Sequence, residues 1–276
     1  MNGNFYGWYF KHQSDTQTLA VIPALHETCS SIQLIANDGV WNLTFPQKAF
    51  QRKGKQIKIA QNCFDENGIT LSVNTKDVQV SGTIRFGQLT PLKYTIMGPF
   101  CAMPFMECRH SVWSMQHHVW GDICINEKKY IFEKSLGYWE GDRGTSFPQE
   151  YAWTHCFFQE GSLMLSVADI PFGKLKFTGV IGVIYWKGKE YRFATYLGAK
   201  VIQKANQKIW IKQGRYEFEA CLLEQHAHPL KAPVNGKMNR TIHESAKCRA
   251  YYCFRKDDSA LFSFESEYAS FEYCIK

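Results

Sequence analysis

The chain has 276 residues and a formal net charge of +7, from 32 basic and 25 acidic side chains spread over its whole length. Charge scattered in this way offers no tract to follow a phosphate backbone, which tells against nucleic-acid binding. With 45% hydrophobic, 15% aromatic and 21% charged residues, the composition excludes disorder and supplies enough apolar surface to fill a core and line a chamber.

The opening residues, Met1 to Trp8, lack the basic flank and apolar core of a secretory signal. No stretch reaches the roughly 18 apolar residues that cross a bilayer. A cytoplasmic protein with at most weak peripheral membrane contact is expected. The ten cysteines, at 29, 63, 101, 108, 124, 156, 221, 248, 253 and 274, form no CxxC pair and no zinc spacing, so free thiols, mostly buried, are expected.

Period-two alternation predicts strands in chain order at Thr18–Ile22, Ser31–Ile35, Gln56–Ile59, Thr70–Val73, Val78–Val80 and Gly82–Phe86. The second half continues at Val119–Ile125, Leu163–Val167, Phe177–Tyr185, Lys189–Ala194, Lys208–Ile211 and Tyr216–Leu223. Turn signals separate them at Asn37-Asp38-Gly39, Glu66-Asn67-Gly68, Trp186-Lys187-Gly188 and Gln213-Gly214. The basic run Arg52 to Lys58 reads as a solvated hairpin. The one helical signal is a short turn at Thr241–Lys247, with Glu244 at capping-box spacing from Thr241.

The halves resemble each other. Gly7-Trp8-Tyr9-Phe10 followed by Leu19–Pro23 parallels Ala152-Trp153-Thr154-His155 followed by Leu163–Val167, and the hairpin Ile32–Phe45 parallels Val180–Phe193. Two tandem β units are expected, residues 1–98 and 99–276, with Pro91–Pro104 as the seam.

The densest chemistry lies between Gly137 and His155. On an extended segment Glu140 and Asp142 share one face and Arg143 takes the other; alternatively the Gly141-Asp142-Arg143-Gly144 turn composition folds the arginine onto a carboxylate as a structural brace. Trp153 and His155 share a face. Upstream, Glu107 and Arg109 share a face and read as an ion pair, and of the adjacent His117 and His118 at most one enters an interior. His226 and His228 share a face without a third metal ligand nearby.

These residues carry a family resemblance. Gly7-Trp8-Tyr9-Phe10, the block Glu140-Gly-Asp-Arg-Gly144-Thr-Ser-Phe147-Pro148-Gln-Glu-Tyr-Ala-Trp153-Thr-His155, the hairpin Tyr185–Phe193, and Leu230-Lys-Ala-Pro233 leading to Cys248 resemble, in order, four blocks of the tocopherol cyclase family. Arg143, Asp142 and His155 stand where the plant-type pattern has Trp, Asn and Gln.

The resemblance implies an all-β fold of two tandem lipocalin-like antiparallel barrel halves, with an apolar, aromatic-lined cavity within or between them. It implies acid-catalysed cyclisation of a prenylated quinol or related isoprenoid lipid, with no cofactor and no metal. The chemistry needs a carboxyl to protonate an alkene, a task assigned to Asp142 or Glu140, with His155 as base. Arg143 is the expected head-group anchor, and Trp153, Trp8, Trp139, Tyr151, Arg109 and His117 are the expected substrate contacts. Core packing is the competing role for the tryptophans and for His155, and a non-catalytic lipid carrier is the competing function for the scaffold.

Overall fold

The computed structural model describes residues 4–104, 106–172, 175–224 and 228–275. Strand accounts for 73% of it and helix for 4%, so the all-β expectation of two tandem barrel halves holds. The first sheet contains β1 (Phe5–Gln13), β2 (Thr18–Leu25), β3 (Cys29–Ala36), β4 (Gly39–Pro46), β5 (Phe50–Lys53), β6 (Gln56–Ile59), β7 (Asn62–Asp65), β8 (Gly68–Asn74), β9 (Gln79–Phe86), β10 (Cys108–Ile125) and β11 (Lys128–Gly144). The second contains β12 (Tyr151–Phe158), β13 (Gly161–Phe172), β14 (Leu175–Trp186), β15 (Lys189–Ala194), β16 (Lys200–Ala205), β17 (Lys208–Gln213), β18 (Tyr216–Glu224), β19 (His228–Val234), β20 (Lys237–Lys256) and β21 (Ser259–Tyr273).

The first sheet is ordered β4-β3-β2-β1-β11-β10-β9-β8-β7-β6-β5, and the second β15-β14-β13-β12-β21-β20-β18-β17-β16, with β19 on β20. β12 to β15 therefore repeat β1 to β4, and β21 beside β12 repeats β11 beside β1. This is the duplication expected from the sequence, with one correction: Trp8 belongs to the core of its sheet, whereas Trp153 stands on the face opposite the core residues Ala152 and Cys156. The two tryptophans are not equivalent, because a shift of one residue along a strand reverses the face.

Two compact units result. One comprises Met1–Leu92, His110–Ser146 and Lys231–Arg240, the other Lys93–Arg109, Phe147–Leu230 and Thr241–Lys276. These limits differ from the 1–98 and 99–276 division. β11 pairs with β1 from Phe5 opposite Gly144 to Gln13 opposite Leu136, and β10 pairs with β9, so both strands join the first sheet.

Each unit has its own aromatic core. Trp8, Phe10, Phe64, Phe132 and Trp139 fill the first; Phe193, Phe218, Tyr252, Phe254 and Phe271 fill the second. In the first unit β2 and β3 are buried on both faces, which explains why Thr18–Leu25 reads as an almost unbroken apolar run rather than a strict alternation.

Of the two readings of Gly141 to Gly144 the extended one holds, and the helical turn expected at Thr241 to Lys247 does not form: both segments are strand, inside β11 and β20. A ladder of backbone hydrogen bonds outweighs local turn and cap composition. The hairpins at Gly39 and Gly188 form as expected; Lys187 and Gly188 take φ of 51° and 73°, the left-handed pair of a two-residue hairpin turn. All ten cysteines are free, but only Cys156, Cys248 and Cys253 are buried.

Candidate functional site

Alternation on β1 and β11 sorts the signature residues onto two faces. Trp8, Phe10 and Trp139 point into the first core, where Trp139 stacks on Phe10 and Trp113 at ring separations of 5.1 and 5.2 Å. The opposite face carries Tyr9, Lys11, Tyr138, Glu140 and Asp142, because Tyr9 lies opposite Glu140 and Lys11 opposite Tyr138 in the ladder, and direct partners share a face. That face is buried as well: Lys11 and Tyr138 are 0% exposed and Glu140 4%.

His110, near the start of β10, joins the two carboxylates. Its Nε2 lies 3.0 Å from Glu140 Oε2 and its Nδ1 2.9 Å from Asp142 Oδ1. Tyr138 donates its hydroxyl proton to the same Glu140 oxygen. Burial alone would lower the imidazole pKa, but Glu140 and Asp142 outweigh it and push it up to about 10, so at neutral pH His110 is an imidazolium with a charge-assisted hydrogen bond to Asp142 and an ion pair with Glu140. Burial, with the charge of Glu140, raises the Tyr138 phenol well above its usual range, so it remains a donor.

The line Asp142, His110, Glu140, Tyr138 has an accessible end. The side chain of Asp142 is 23% exposed, against 9% for His110 and 6% for Glu140. Hydrogen bonds close the two ends of the line, His110 to Asp142 and Tyr138 to Glu140, and an ion pair joins them.

The other expected site residues divide as follows. Arg143 is exposed, one step beyond Asp142 on β11 and opposite Tyr6, so it takes the other face as extended geometry requires. Arg109 donates to the carbonyls of Met103 and Met106 at 2.9 and 3.4 Å, and the expected partner Glu107 is exposed. His117 faces the first core, 4.6 Å from the Phe86 ring, while His118 is exposed. Trp8 packs between Tyr6 and Phe50, with Arg52 5.6 Å over its ring.

In the second unit Tyr151, Trp153 and His155 share one buried face of β12. Tyr151 donates to Glu272 at 2.5 Å, and His155 sits edge-on to Phe157 at 4.7 Å. Glu244 lies directly opposite Glu272 in the ladder. Among the described residues no group of three or more His, Cys, Asp or Glu is placed to hold a metal; His226 lies outside them. No described helix is long and apolar enough to cross a membrane.

Tyr138 escaped sequence reasoning, although it stands two residues before Glu140, a spacing that signals a shared face. His110 closes the upstream polar cluster Glu107-Cys-Arg-His110 in the sequence but received no role there, because its approach to Glu140 depends on the pairing of β10 and β11.

No family model matches the chain, and no curated protein sequence does. Solved structures do match its fold. The chain is similar to CghA, crystallised with Sch210972, at TM-score 0.62 and 10% identity, over 99% of this chain and 89% of that one. Kievitone hydratase from Nectria haematococca matches at TM-score 0.57 and 9% identity, over 99% and 90%. A putative AttH from Nitrosomonas europaea matches at 0.54 and 10%, over 99% and 93%. At these identities the likeness establishes a shared two-barrel β fold along essentially the whole chain.

Proposed function

We propose that the protein is a cofactor-independent acid–base enzyme that closes a carbon–oxygen ring on a prenylated quinol or related isoprenoid lipid, with Asp142 as the group that meets the substrate. One observation carries this reading. A buried histidine joins a partly accessible carboxylate to a deeply buried one, and a tyrosine closes the far end.

Once Asp142 is protonated, it gives that proton to the less substituted carbon of a trisubstituted double bond. The neighbouring phenol oxygen captures the tertiary cation, and the phenolic proton returns to Asp142. The product is an isomer of the substrate and the enzyme ends as it began. His110 keeps Asp142 oriented and exchanges protons with it through Nδ1; Glu140 and Tyr138 hold the imidazole from behind. CghA with its bound small molecule and a hydratase on the same fold support a small-molecule reading.

Incubation of the purified protein with a panel of prenylated hydroquinones, followed by mass spectrometry, tests this. An isomeric product of unchanged mass is expected. Ligand retained but unaltered across the panel would instead make the protein a carrier.

A further inference from the structure

The row of the first sheet that begins at Asp142 crosses three ladders. Asp142 lies opposite Gly7, Gly7 opposite Ala24, and Ala24 opposite Ser31. Direct antiparallel partners point to the same face, so all four stand on the buried face that carries Glu140. The middle of the row is nearly bare. A Cβ placed on Gly7 would meet no atom within 4 Å, and Ala24 adds only a methyl.

At the far end stands a second polar pair. His26 Nε2 and Ser31 Oγ are 2.8 Å apart. His26 is 1% exposed, and its Nδ1 has no hydrogen-bond partner among the described residues. The turn that carries it is fixed: its N–H donates to Cys29 O at 2.8 Å, and the Gln47 amide donates to its carbonyl at 3.1 Å. A buried imidazole nitrogen without a partner costs stability, so a residue held this firmly in such a place has the character of a binding group. Gln33, the neighbouring polar side chain on β3, is already committed on both sides to the Lys231 backbone.

We infer that His26 and Ser31 are the second anchor of the substrate site, holding a neutral oxygen function of a ligand whose apolar body lies over Gly7 and Ala24. The inference rests on the reading of Asp142 as the reacting end. Three strand spacings separate the two stations, roughly 14 Å between backbones, so the ligand is elongated with a polar group at each end. Burial keeps His26 neutral at physiological pH, with its pKa lowered to about 4. A neutral imidazole and a hydroxyl suit an alcohol or carbonyl rather than an anion. His26 and Ser31 are thus positioning residues that set substrate choice.

Calorimetric titration with geranylhydroquinone and its ω-hydroxygeranyl counterpart tests this on the full chain, its Ser31→Ala variant and its His26→Leu variant. The hydroxylated probe is expected to bind the unaltered protein about tenfold more tightly, the worth of one buried hydrogen bond. Either variant should cut that advantage to about twofold or less, with the plain probe's affinity little changed; if one variant fails to fold, the other decides. Equal binding of the two probes by the unaltered protein, or equal weakening of both by the variants, would overturn the inference, as would binding of neither probe. Failure of the Asp142 reading looks different: Asp142→Asn would keep its turnover and leave this affinity pattern untouched.

Discussion

His110 Nδ1 lies 2.9 Å from Asp142 Oδ1, and the same ring reaches Glu140 through its other nitrogen. One buried imidazolium therefore serves as counter-ion to two carboxylates on a single strand. This makes the histidine a structural clamp and, in the proposed reaction, the residue that exchanges protons with Asp142.

Replacing His110 by Asn removes the cation beside the buried Glu140 and the partly exposed Asp142. We expect a loss of about 3 kcal/mol at pH 6, the usual result of breaking a buried pair from one side. The folded-state pKa is raised, so the contribution is complete below the unfolded value of 6.5 and disappears as pH rises toward about 10. Urea denaturation from pH 6 to 10 should show the gap between wild type and His110→Asn narrowing across that window.

His12 and His117 behave in the opposite sense. Both are buried and neutral, with pKa values lowered to about 3, chiefly by desolvation. Each leaves stability unchanged above pH 6.5 and withdraws it as pH falls from there toward 3, because the unfolded chain takes up the proton first. Among the described residues neither ring nitrogen of His12 has a hydrogen-bond partner, so His12→Phe should be neutral or slightly stabilising at pH 7. It should also flatten the acid limb of a plot of Tm against pH.

Gly137 lies opposite His12 in the ladder. A Cβ added there would fall 2.5 Å from His117 Nε2 and 2.7 Å from Val119 Cγ1. Gly137→Ala must therefore displace packed side chains, and we expect about 1–3 kcal/mol of destabilisation by chemical denaturation.

Much of the fold was legible because strands and turns are written locally. Asn37-Asp38-Gly39 and Lys187-Gly188 mark hairpins by backbone chemistry alone, and the repeated order of strands, turns and Trp-bearing segments marks the duplication. The site was legible only in part. Glu140 and Asp142 share a face as any extended segment dictates. Which face that is depends on ladder partners far away in sequence, and so do the arrival of His110 from β10 and the pairing of Ser31 with His26 across a turn. Arg143 and Gly144 have turn composition, and composition is blind to the pairing with Tyr6 and Phe5 on β1 that holds them extended.

Turnover of an active prenylated hydroquinone in deuterium oxide, compared between the unaltered protein and Asp142→Asn, tests the central claim most directly. We expect the unaltered protein to yield an isomeric ring product carrying one carbon-bound deuterium, and the variant to bind the same compound within about threefold while turning it over at least 100-fold more slowly, as loss of a general acid requires. A variant that forms the labelled product at the original rate would contradict it.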